Sequence, residues 1–113
     1  MKIIPFNPKI SSKPVFSVNL GDLVCEFSFS FNERVQAWFC DFVTTSGANY
    51  SVRLVEWSPL LGKINRTGLD GDFRVLKYNK LGLDTITYDN FGTDWKLVFL
   101  TEEEGKVIDG VQS

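Results

Sequence analysis

The chain predicts an all-β fold: a small single-domain antiparallel β-sandwich or barrel of about six or seven strands with one short helical turn. Three observations carry that expectation. Apolar and polar residues alternate over several short stretches, the period of a half-buried strand. Gly, Asn and Asp clusters break those stretches at spacings of roughly 8 to 15 residues, with hardly any helical periodicity between them. Aromatics make up 14% of 113 residues, ten of them Phe, a composition that suits a packed core and excludes a disordered chain.

Residues 1–14 hold prolines at 5, 8 and 14, with Ile3, Ile4, Phe6 and Ile10 as apolar anchors. Proline deletes a ladder donor, so this part reads as an extended N-terminal arm or edge segment. The β domain is expected over 15–101. Phe16, Val18 and Leu20 begin the alternation, and Gly21-Asp22 turns the chain.

Leu23 to Val43 is the most ordered pattern in the sequence. Leu23, Cys25, Phe27, Phe29 and Phe31 share one strand face, Trp38, Cys40 and Phe42 share another, and Asn32-Glu33-Arg34 lies between them. A hairpin with both sets on one side requires paired positions of odd sum. Two registers satisfy this. One pairs Cys25 with Cys40, and the other pairs Phe29 with Trp38 across a loop of about four residues opened by Asn32. Asn32, Arg34, Trp38 and Asp41 are the candidate hairpin-structuring group, with Arg34 or Asp41 available for an ion pair or a partner.

Turn formers from Thr44 to Asn49 lead to an expected strand over Tyr50–Trp57, with Tyr50, Val52 and Leu54 on one face. Ser58-Pro59 reads as the start of one helical turn, and Leu60 and Leu61 plug an open end of the sheet. Leu69–Asp72 is a turn before a strand from Phe73 to Tyr78. A Thr-rich segment, Thr85–Tyr88, and a turn at Asp89–Gly92 precede the last strand, Trp95–Leu100. Residues 102–113 form an acidic tail expected to be extended.

The composition excludes most chemistry. With no histidine, the commonest general base, metal ligand and nucleophile partner are all missing. No catalytic residue, cofactor site or metal site is assigned. Asp70 and Asp72, with Asp84 or Asp89, are read as surface turns, and Glu26, Asp41, Glu56 and Asp94 offer no evident catalytic pair. Glycines 68 and 71 do not form a phosphate loop. Twelve basic against fourteen acidic residues give a net charge of -2, with no reason to gather on nucleic acid. Pro5 falls too early for a signal peptide's apolar run, and no stretch is long enough to span a membrane, so a cytoplasmic origin is expected. In that setting Cys25 and Cys40 are read as buried thiols, and the Asn65-Arg66-Thr67 acceptor pattern carries no meaning.

The order Phe-x-Val-x-Leu, Phe31-Asn32-Glu33-Arg34, Trp38-Phe39-Cys40-Asp41-Phe42, Leu60-Leu61 and Asn90-Phe91-Gly92, ending in an aliphatic and aromatic strand, resembles the baseplate plug proteins of contractile-tailed phages, including the plug of a minimal cyanophage baseplate. The likeness covers residues 15–101. It implies a non-enzymatic all-β virion protein near the hub and spike at the distal end of the tail tube, assembled in the host bacterial cytoplasm. Its implied partners are hub, spike, tube or wedge subunits, with several copies in a symmetric assembly compatible with that role. Ile4, Phe6, Trp57, Val107 and Ile108 are the candidate partner contacts. The competing reading is a ligand-binding β-barrel for single-stranded nucleic acid or carbohydrate, stacking on Trp57, Tyr78 or Trp95, although Lys77 and Lys80 are a meagre basic stripe.

Overall fold

The alternation closes two antiparallel sheets face to face. The structure, a computed structural model, describes residues 2–4, 15–101 and 103–107. Its strands are β1 (Lys2–Ile3), β2 (Val15–Leu20), β3 (Leu23–Asn32), β4 (Ala37–Thr44), β5 (Gly47–Arg53), β6 (Gly71–Lys77) and β7 (Trp95–Thr101). One sheet has the order β2-β3-β4-β5 and the other β1-β7-β6; they form a sandwich and do not close into a barrel. No helix among the described residues is long and apolar enough to cross a membrane.

The β3–β4 hairpin has the expected apolar face. Cys25, Phe27, Phe29, Trp38, Cys40 and Phe42 are all buried. Its register is neither of the two expected ones: Phe27 lies opposite Phe42, Phe29 opposite Cys40 and Phe31 opposite Trp38. The turn therefore spans residues 33–36, and the Asn32 Oδ1 accepts the N–H groups of Arg34 at 3.0 Å and Val35 at 3.4 Å. In this register Cys25 is four residues along β3 from the residue opposite Cys40, about 13 Å at strand rise, far beyond disulfide reach. Both thiols are free and buried.

The opening hairpin needs a glycine. Gly21 has φ 70°, the left-handed value required at the first loop position of a primed turn, and Leu20 pairs directly with Leu23.

The expected strand over Tyr50–Trp57 is split and displaced. Strand β5 starts earlier, because Thr44 pairs with Gly47 across a two-residue loop, and the Thr44 hydroxyl accepts the Ser46 N–H at 3.1 Å. A Cβ at Gly47 would collide with the Arg66 carbonyl, so this close approach excludes larger residues. Between Cys40 and Phe42 the register shifts at a bulge, where Ser51 takes φ 53° and donates its N–H to the Asp41 carboxylate at 2.7 Å. The extra residue reverses the parity. Asn49 is buried upstream, Val52 faces inward downstream, and Tyr50 is exposed instead of sharing their face. After Arg53 the chain crosses to the other sheet, where the N–H groups of Trp57 and Leu60 donate to the Val75 and Phe73 carbonyls along the outer edge of β6.

Two further expectations are corrected by local capping. The 3₁₀ turn spans Gly62–Ile64, not the residues after Ser58, since the Asp72 carboxylate accepts the N–H groups of Leu61 at 2.9 Å and Gly62 at 2.7 Å. The tail is not extended over 103–107 but helical. Thr101 and Glu104 form a reciprocal capping box, the Thr101 N–H donating to the Glu104 carboxylate and the Glu104 N–H to the Thr101 hydroxyl.

The sheets meet through rings. Phe73 of β6 stacks on Phe42 at 4.5 Å between centroids and meets Phe27 edge-on at 5.5 Å, while Phe27 and Phe42 touch at 5.7 Å. Leu61 is buried in the same cluster and Leu60 is partly buried against it.

Phe73→Ala is expected to destabilise the fold by about 3–5 kcal/mol, and the half-buried Phe99→Ala by less, in urea unfolding with an unchanged slope. Burial also pushes the Cys25 thiol from the ordinary 9.0 to about 11, and the Cys40 thiol is raised from the same cause. An unfolded chain ionises these thiols first, so their contribution to stability is intact below pH 9 and lost as the pH rises through 11. Unfolding free energies measured from pH 8 to 11 should fall less steeply for Cys25→Ala than for the parent chain.

Candidate functional site

The connection between β6 and β7, residues 78–94, equals in length the one between β5 and β6, residues 54–70, but has no strand or helix of its own, a length usually reserved for functional loops. It is nonetheless fixed at several points. At its base the Asp94 carbonyl accepts the N–H groups of Tyr78 and Asn79, and the Asp94 carboxylate accepts the Asn79 amide at 3.1 Å. Trp95 donates its indole N–H to the Leu83 carbonyl at 3.0 Å, and Trp38 donates to the Thr87 carbonyl at 3.2 Å. The Tyr88 ring lies parallel to Trp38 at 5.6 Å and edge-on to Phe31 at 5.0 Å.

Asn90 is the knot of this loop. Its buried side chain accepts the Thr87 N–H at 2.7 Å and donates to the Thr85 carbonyl at 2.9 Å, while its own carbonyl collects the N–H groups of Thr93, Asp94 and Trp95.

So fixed, the loop turns apolar side chains outward. Leu81 is 97% exposed, Leu83 62% and Tyr88 53%. Around them the Lys77 ammonium bonds the Asp84 carboxylate at 2.6 Å and holds it below the usual carboxylate range, through that hydrogen bond first and its charge second. Lys96 lies over the Tyr78 ring at 5.4 Å, and partial burial raises the Tyr78 phenol above its ordinary value. Isolated exposed leucines are common on proteins, but two of them on a pinned loop offer a preordered apolar contact.

The residues singled out from sequence fall in different places. Ile4 is 2% exposed, its N–H bonded to the Leu97 carbonyl at 2.8 Å, so it lies in the chain's own core. Trp57 is half-buried and meets Trp95 edge-on at 5.8 Å. Val107 is exposed on the helical turn, and Phe6 and Ile108 lie outside the described residues. In the hairpin group, Asn32 opens the turn and Trp38 anchors the long loop. Asp41 holds the β5 bulge, and Arg34 contributes its backbone to the turn. Among the described residues neither Arg34 nor Asp41 makes an ion pair.

The acidic candidates do not converge. The Glu56 carboxylate accepts the Ile86 N–H, Asp41 accepts Ser51, Asp94 accepts Asn79, and Glu26 is exposed on β3. Among the described residues no three His, Cys, Asp or Glu side chains are grouped to hold a metal ion. Trp95 is fully buried and cannot stack on a ligand, which removes one of the three proposed stacking residues. Both ends of the Asn65 amide are engaged, by Thr67 and by the Gly71 carbonyl.

Leu81 and Leu83 were not anticipated, and their sequence signal is faint. A Leu-Gly-Leu among turn formers has no periodicity, and only the length of the connection marks it.

Asn90→Ala is expected to cost about 1–3 kcal/mol, for two lost side-chain hydrogen bonds at a buried position. Faster amide exchange confined to residues 79–94 would report the loosened loop, whereas uniform acceleration would place the effect in the core.

No curated protein matches the chain. The family model described as "Cyanophage baseplate Pam3 plug gp18" matches residues 1–103, a span that takes in all seven strands. The chain therefore belongs to this family of cyanophage baseplate plugs.

Proposed function

We propose that the chain is a structural, non-enzymatic subunit of a phage tail baseplate, a plug near the hub and spike at the distal end of the tail tube, and that it acts through protein–protein contacts. Family membership supports the baseplate role and a site in the virion tail. In this reading the 15–101 domain is the rigid body. The contacts to hub, spike, tube or wedge subunits come from its exposed apolar residues and its termini, with Trp57 and Val107 among the contact residues.

The observation that carries the contact mechanism is Leu81, 97% exposed on a loop held by two indole hydrogen bonds and Asn90. Burying such a side chain in a partner contributes about 2 kcal/mol, and a loop that is already ordered loses little entropy in the process.

The test is Leu81→Ser with Leu83→Ser, supplied in place of the parent chain during phage assembly. The variant should melt within a few degrees of the parent and be depleted from purified tails. Incorporation at the parental level would reject this loop as a contact.

A further inference from the structure

We propose that the edge of β7 on which β1 lies is a strand-acceptor groove that, between neighbouring copies of this chain, takes residues 2–4 of the other copy. The seat is visible because the chain's own residues fill it. Lys2 pairs with Phe99, Ile3 pairs with Val98, and the Ile4 N–H bonds the Leu97 carbonyl at 2.8 Å. Ile4 is buried in the main core, and the Lys2 ammonium reaches across to the Asn19 carbonyl of β2 at 3.0 Å. The groove thus reads an extended segment with a lysine at one end and an isoleucine two residues on.

Every one of these contacts is made to the body of the fold, residues 15–101, and none depends on which copy supplies the segment. The strand is two residues long, and Pro5 follows Ile4 directly, so the ladder has no further N–H to offer at that position. Release therefore gives up three backbone pairings, the Lys2 bond to Asn19 and one buried isoleucine, all regained when a neighbour's segment enters. The balance rests on concentration. A short covalent connection holds its own segment at an effective concentration on the order of millimolar, so dilute chains keep it and closely packed copies exchange it. Exchange between copies rests on the proposed assembly role, while the groove itself does not.

The test uses two full-length variants, Ile3→Cys and Val98→Cys, since these residues face each other in the ladder. Mixed and oxidised from about 10 μM to about 1 mM, they should give a dimer whose mapped peptides carry a 3–98 link, with a yield that rises with concentration. The chain carrying both changes should close the same link within itself at low concentration. An internal link without any intermolecular one up to millimolar concentration would overturn exchange, and absence of both would overturn the groove. Exchange that persists in Leu81→Ser chains excluded from tails would separate this inference from the assembly contact.

Discussion

The contact of Phe27 and Phe42 with Phe73 is the constraint on which the rest of the molecule depends, because it fixes how one sheet lies on the other. It also selects the β3–β4 register. Odd-sum pairing keeps the apolar residues on one face in any of several registers, but only the observed one sets Phe27 directly opposite Phe42. A two-residue slip would put Cys40 opposite Phe27 and leave Phe73 facing a smaller side chain, with lost ring contact on both sheets. The same choice separates Cys25 from Cys40, so the thiol state of the core follows from ring packing.

This explains which parts of the fold were legible. Alternation is local, so the strands, their inward faces and the sandwich class can be read from neighbouring residues. Register is not local, since the residue that decides it lies on β6, far along the chain. The β5 error has a similar origin: one extra residue at the bulge reverses the parity, and Asp41, the side chain that holds it, belongs to another strand. The Thr101–Glu104 capping box was legible, being a four-residue pattern, but the acidic run around it suggested a solvated tail. Ile4, expected from sequence as a partner contact, lies in the chain's own core, and sequence cannot distinguish a residue that seeks a partner's core from one that enters its own.

Polar side chains in this fold are largely engaged in completing the backbone where ladders end. Asn32, Asp41, Asn49, Asn65, Asp72 and Asn90 each bond main-chain groups in turns, bulges or crossings, and no buried polar side-chain atom among the described residues lacks a partner. Groups satisfied in this way are held in place and poorly suited to bind or transfer anything. Among the exposed large apolar side chains of the described residues, Leu81 is the most exposed. In the proposed baseplate role such a side chain would be buried against a neighbouring protein.

Edges give the same argument at the level of the sheets. The outer edge of β6 is covered by Trp57 and Leu60, and β5 is linked through Asn49 to the Ile64 carbonyl and the Arg66 N–H. Residues 2–4 serve the two remaining sides, lying on β7 through backbone bonds and touching β2 through Lys2. The segment therefore covers the β7 edge and touches the β2 edge at one carbonyl, and its departure would leave unpaired donors and acceptors along β7. A chain that released this segment in isolation would invite indiscriminate pairing. Released only where an equivalent segment stands ready, it joins subunits without exposing the β7 edge.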